Sequence, residues 1–148
     1  MKRFVIGALI VGLFATSLAV GYYLYSEPKT ARIELNGVTL TVELATTPAA
    51  QQQGLSDRDS MPADHGMLFV FAQEGEWGFW MHEMRFPLDI IWFNANRQAV
   101  YIEENLPPCT SASCPVYTPP VNVTYVLEVN AGFVKANGVE LGDSFNFV

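Results

Sequence analysis

Arg32-Ile-Glu-Leu-Asn-Gly-Val-Thr-Leu-Thr-Val-Glu-Leu44 is the stretch from which the fold is read. Asn36-Gly37 supplies the two positive φ angles of a two-residue type I′ turn, which glycine and short polar residues adopt at least steric cost. Beyond the turn, Thr39, Thr41 and Glu43 alternate with Leu40, Val42 and Leu44. A period of two sends one set toward a core and the other toward water. The expectation is a β-hairpin with one wet face.

Downstream, Thr47-Pro48 opens a short helix, with Thr47 as its cap, Pro48 in the first turn and Gly54 as its stop. Gly66-Met-Leu-Phe-Val-Phe71 reads as a buried strand. Trp77–Met81 and Leu88–Asn94 read as two more, parted by the turn-prone Arg85-Phe86-Pro87. Ala99–Glu104, Val123–Val129 and Asp143–Phe147 complete the set, and Ala131–Asn137 suits one or two helical turns ended by Gly138. Seven or eight short strands with one or two short helices predict a mainly β domain over residues 32–148, a single compact barrel or sandwich.

Upstream, Glu27 to Ala31 forms a linker, and residues 1–26 are of another kind. Lys2 and Arg3 precede 22 residues, Phe4 to Tyr25, that carry no charge. As a helix these would run about 33 Å, enough for a hydrocarbon core of about 30 Å. Tyr22, Tyr23 and Tyr25 would sit at the far headgroups, and the two cations predict a cytoplasmic N-terminus. The expected localisation is a single-pass membrane protein with its C-terminal domain outside, periplasmic or extracellular. A cleaved signal peptide ending near Ser17-Leu18-Ala19 is the alternative, giving a secreted domain.

Charge narrows the partners. Residues 27–148 carry six basic and fifteen acidic side chains, a net of −9. A basic patch or stripe is the footprint of nucleic-acid binding, so nucleic acid is not an expected partner. A protein or glycan partner in the envelope fits better, with the oligomeric state open. Cys109 and Cys114, the only cysteines, flank a short Pro-rich loop. Four intervening residues do not match the thioredoxin spacing, and an even count outside the cytoplasm favours a disulfide.

Several segments bear a family resemblance. Gln53-Gly-Leu-Ser-Asp-Arg58, Met61-Pro62, Gly66–Phe71, Phe79-Trp-Met-His-Glu-Met-Arg-Phe-Pro-Leu-Asp-Ile-Ile-Trp92, Glu104–Cys109 and Cys114-Pro-Val-Tyr117 follow in order. Together they resemble the family known as domain of unknown function 192, over about residues 32–148. The resemblance implies a small β-rich domain, often behind a signal or anchor segment, and no activity, substrate or cofactor. The chain departs from the family pattern after Met81. His82 and Glu83 stand where Lys-Asn or a close relative is usual, replacing a fixed cation by a titratable one and an amide by a carboxylate.

Candidate site residues cluster around that departure. Arg58, Met67, Trp80, His82, Asp89 and Trp92 are the candidates for a ligand pocket. On an extended chain Trp80 and His82 share one face, and Met81 and Glu83 the other, unless the strand ends there. Asp89 lies among Leu88, Ile90, Ile91 and Trp92, where a charge must be paired; Arg58 and Arg85 are the expected structural partners. His65 beside Asp64 reads as a solvated loop residue. A mixed metal site from His65, His82, Glu83 and Asp89 is not demanded by any spacing, so no metal or cofactor is expected. Asn122-Val-Thr124 fits a glycosylation sequon, a pattern that arises often by chance.

No nucleophile elbow, phosphate loop or zinc-protease helix is present in the sequence. The leading expectation is a membrane-anchored extracytoplasmic binding or accessory module for a small ligand, glycan or protein. One alternative is an acid/base enzyme using Asp89 and His82, which would have to meet in one cleft. The other is a purely structural envelope partner.

Overall fold

The computed structural model describes residues 29–148. The expected anchor at residues 1–26 lies outside them; among the described residues no helix is long and apolar enough to cross a membrane. Among the described residues, nine strands and two short helices run in the order β1 (Thr30–Leu35), β2 (Val38–Ala45), α1 (Pro48–Gln53), β3 (His65–Gly75), β4 (Phe79–Trp80), β5 (Leu88–Phe93), β6 (Ala99–Leu106), β7 (Val116–Tyr117), β8 (Val123–Asn130), α2 (Phe133–Asn137) and β9 (Phe145–Phe147).

The protein is mainly β. Seven strands form one half-barrel sheet in the order β6-β5-β8-β3-β2-β1-β9, and β4 and β7 form a second, small sheet. Every pair is antiparallel except β2 and β3, which α1 connects as a parallel crossover. Asn36 and Gly37 hold φ of 49° and 80°, the turn that the sequence predicts. The turn also does more than reverse the chain: the Asn36 side-chain amide donates to the carbonyls of Asn137 (2.7 Å) and Gly138 (3.0 Å), closing the end of α2.

The compact barrel or sandwich expected from the strand count is met in part: the main sheet is a half-barrel, an open curl. Its edge strands meet only at one end, where Gln98 bridges Ser144 and the Ala99 amide donates to Asp143 O at 2.8 Å. The small second sheet arises because Trp77–Met81 contributes only the two residues of β4, which pair with β7, a strand that was not foreseen. Residues 77–87 and 107–117 fold over the main sheet, while β5 and β6 between them extend it.

Two cores result, one on each side of the curved sheet. Inside the curl, Ile33, Leu40, Leu68, Ile91, Phe93, Leu127 and Phe145 pack together, capped by Phe133 and Val134 of α2. Outside it, Met67, Phe69, Leu88, Ile90, Trp92 and Val126 are covered by Leu55, Met81 and Met84. Central strands β3, β5 and β8 are therefore buried on both faces, and this is why Gly66–Phe71 and Leu88–Phe93 read as unbroken apolar runs. Complete burial of each such side chain contributes about 1.5–3 kcal/mol. Gly66 lets β3 and β8 approach: a Cβ there would lie 2.8 Å from the Glu128 carbonyl oxygen.

Candidate functional site

The outer core opens into a cleft beside α1. This helix starts as the sequence predicts, with the Thr47 hydroxyl accepting from the Ala50 amide at 3.2 Å. It ends at Gly54, whose φ of 51° and ψ of −136° suit a residue without Cβ. Gln51 ties the helix to the sheet by donating to the carbonyls of Ala45 (3.2 Å) and Val70 (3.0 Å). Gln52 and Gln53 are left facing a cleft.

Across that cleft stand Trp80 and His82. Their rings stack at 5.0 Å with 30° between planes, and Trp80 is 51% exposed. Met81 between them is buried, as alternation requires. The strand ends at Trp80, and Glu83 takes a φ of 58°, which turns it out of the alternation. Glu83 and His82 thus border the same cleft, with His82 Nδ1 3.7 Å from Glu83 Oε2. The cleft measures about 470 Å³ and is completed by Ala49 and Ser56.

The positively bent backbone at Glu83 is held from both sides. Its amide donates to Cys109 O (3.1 Å), the Cys109 amide donates to Met81 O (2.9 Å), and its own carbonyl accepts from the Asp57 amide (3.0 Å). Ser56 adds a hydroxyl bond to His82 O at 3.1 Å. Cys109 and Cys114 are joined as a disulfide. The Pro-rich loop that the disulfide closes is therefore the brace of the Trp80–Glu83 wall. On the outside, Arg85 reaches Asp59 (2.7 Å) and Asp57 (3.3 Å), and these carboxylates raise its pKa further.

Beneath the cleft lies a smaller cavity of about 30 Å³, sharing Gln52, Gln53, Ser56 and Trp80 with it. Its floor includes Glu128 of β8. Glu128 is paired in register with Met67 and Ile90, both outer-core residues, and is 4% exposed. Its Oε2 has no hydrogen-bond partner. Burial pushes the carboxyl up to about 8, against the smaller opposing pull of the Arg58 charge. At neutral pH the group is a neutral acid, able both to donate and to accept.

The six candidate residues from the sequence do not share one pocket. Trp80 and His82 line the cleft. Arg58 and Met67 line a different hollow of about 230 Å³ on the other side of α1, with Glu43 and Gly54. Trp92 is fully buried, its indole donating to Trp77 O at 2.9 Å. Asp89 is fully buried inside the curl, where it accepts from the backbone amides of Asn105 (2.8 Å) and Val134 (2.9 Å). Both lie on β5, which is covered on both faces, so neither can line a surface cleft.

The expected arginine partners of Asp89 are likewise corrected. Arg58 makes a bidentate pair with Glu43 at 2.5 and 2.8 Å, which raises the arginine and lowers the glutamate. Arg85 belongs to Asp57 and Asp59. Asp89 needs neither, because two backbone N–H groups already solvate it. His65 is paired with Asp64 at 2.8 Å. Among the described residues no three His, Cys, Asp or Glu side chains converge as metal ligands, so the mixed His65, His82, Glu83 and Asp89 set does not assemble.

Glu128 was missed, yet its signal is the same as that of Asp89: one acid inside Val126-Leu-Glu-Val129. The neutral wall of Gln52 and Gln53 carried no sequence signal, since surface glutamines are ordinary in a short helix.

The comparisons with known proteins agree with this architecture. A family model described as DUF192, "Uncharacterized ACR", matches residues 31–147. A crystal structure from Sinorhizobium meliloti 1021, described as a candidate transcription regulator, superposes with a TM-score of 0.75 and 37% identity, over 82% of this chain and 95% of that one. A protein of unknown function from Novosphingobium aromaticivorans superposes with a TM-score of 0.76 and 27% identity, over 82% and 87%. No protein of curated function matches.

Proposed function

This chain belongs to the DUF192 family of uncharacterised proteins, and we propose that it is a binding module for neutral sugars. Its binding site is the cleft between α1 and the Trp80–His82 wall. The single observation that carries this reading is the half-exposed Trp80 stacked on His82, opposite Gln52 and Gln53. A flat aromatic face covers the C–H side of a sugar ring, while amides donate to and accept from its hydroxyls. Among the described residues no lysine or arginine borders the cleft, and Glu83 does. Phosphate and carboxylate ligands are accordingly disfavoured.

The regulator description of the Sinorhizobium relative does not carry over well. The net charge of −9 over residues 27–148 opposes a DNA backbone. The proposed place of action is the outer face of a membrane, with residues 4–25 as the anchor. The disulfide between Cys109 and Cys114 supports an oxidising compartment.

Tryptophan fluorescence tests the sugar reading. A panel of soluble neutral oligosaccharides should include at least one that gives a saturable change in the wild type, weakened about tenfold or more in Trp80→Ala. No response across the panel, or a response only to tetramethylammonium, contradicts it. Protease added to intact spheroplasts tests the topology. The acidic domain should be digested without lysis, and protection until lysis contradicts the proposed location.

A further inference from the structure

We propose that Glu128 forms the floor of a second, deeper subsite that takes a single hydroxyl of the sugar seated against Trp80. The inference rests on the sugar reading of the cleft and deepens it.

Geometry carries it. The small cavity opens from the cleft, since Gln52, Gln53, Ser56 and Trp80 border both. At about 30 Å³ it exceeds the roughly 10–15 Å³ that one water needs, so it accepts one small polar group and no ring. Phe69, Phe79 and Met84 are part of its apolar lining, and Glu128 joins the glutamines of α1 and Ser56 in its polar lining, as the acidic member of the set. The Glu128 Oε2 is buried and unpartnered, about 3.9 Å from where a Cβ on Gly54 would stand. Glycine at the end of α1 therefore keeps open the space in front of this oxygen.

An unsatisfied buried polar atom costs stability, and native structures keep few of them. Alternation along β8 makes position 128 an outer-core position, where Val126 is apolar. Among the described residues the one charge that bears on it is Arg58, and Glu43 already occupies that guanidinium. Glu128 thus has no structural partner to justify it. A ligand hydroxyl entering past Trp80 would supply one, accepting from or donating to the neutral acid. Burial that keeps the carboxyl protonated fits a hydroxyl and works against an ammonium.

The test uses methanol, one hydroxyl on one carbon, titrated into the isotope-labelled full chain in detergent micelles. Saturable shifts are expected at the amides of Gly54, Leu55 and Glu128. Glu128→Gln, which can still donate and accept, should bind within about twofold of the wild type, and Glu128→Leu about tenfold more weakly. Equal binding by Glu128→Leu, or shifts confined to the Trp80 wall, overturns the subsite. Should oligosaccharides bind at Trp80 while methanol ignores Glu128, the subsite falls and the cleft reading stands. Methanol bound at Glu128 with no oligosaccharide response supports the subsite and overturns the sugar reading.

Discussion

Asp89 and Glu128 occupy adjacent strands, both buried, and they face opposite sides of the same sheet. Asp89 points into the curl and is surrounded by backbone donors: the Asn105 amide at the end of β6 and the Val134 amide at the start of α2. It joins three elements and is fully enclosed. Glu128 points outward into apolar side chains, has an unpartnered oxygen, and borders a cavity that communicates with the surface. Burial alone does not mark a site. What separates the two carboxyls is whether the protein itself satisfies them.

The sharpest way to break this contrast is to remove Asp89. Asp89→Ala leaves one buried and one part-buried N–H group without an acceptor and a void in the core, and unfolding by denaturant should show a loss of about 3–5 kcal/mol. A loss below about 1 kcal/mol would show that the enclosed carboxyl is not a structural junction. Glu128→Leu, replacing an unsatisfied acid by an apolar side chain in an apolar setting, should instead be neutral or stabilising near pH 7.

Next in size is the disulfide. Replacing Cys109 and Cys114 by serine should cost about 2 kcal/mol by the chain-entropy account. Hydrogen exchange should show the loosening confined to Met81–Glu83, because the Cys109 backbone clamps that segment. Exchange unchanged there would mean that the brace acts without the covalent link.

A separate effect concerns pH. Glu128 titrates at about 8 in the folded chain and near its ordinary 4.5 when exposed. Between those values the native state holds a proton that the unfolded state has released, so raising the pH favours unfolding. Its contribution is full below 4.5 and is lost as the pH rises through 8. The slope is up to about 1.4 kcal/mol per pH unit. Glu128→Gln should lack that slope and exceed the wild type in stability at the alkaline end.

Local chemistry was legible in the sequence and tertiary placement was not. Asn36-Gly37, Thr47-Pro48 and the runs Gly66–Phe71 and Leu88–Asn94 each name their element, because turn angles, caps and apolar periods act over a few residues. The two-residue pairing of β4 with β7 joins residues on either side of β5 and β6 in the chain, and nothing local encodes that. Trp80 and His82 border one cleft because an extended chain puts them on one face, and Met67 lines a separate hollow with Arg58. Asp89 and Trp92 are enclosed because both faces of β5 are covered, which alternation in one strand cannot reveal. Glu128 offered the same lone-acid signal as Asp89, and only the arrangement of donors around each tells them apart.

One measurement bears most directly on the unsatisfied acid at the floor of the cleft: a carbon-13 NMR titration of the Glu128 side-chain carboxyl in the full chain. A midpoint near 8 is the result that this account requires. A midpoint near 4.5 would mean that the carboxyl is ionised and solvated at neutral pH, and the contrast with Asp89 would dissolve.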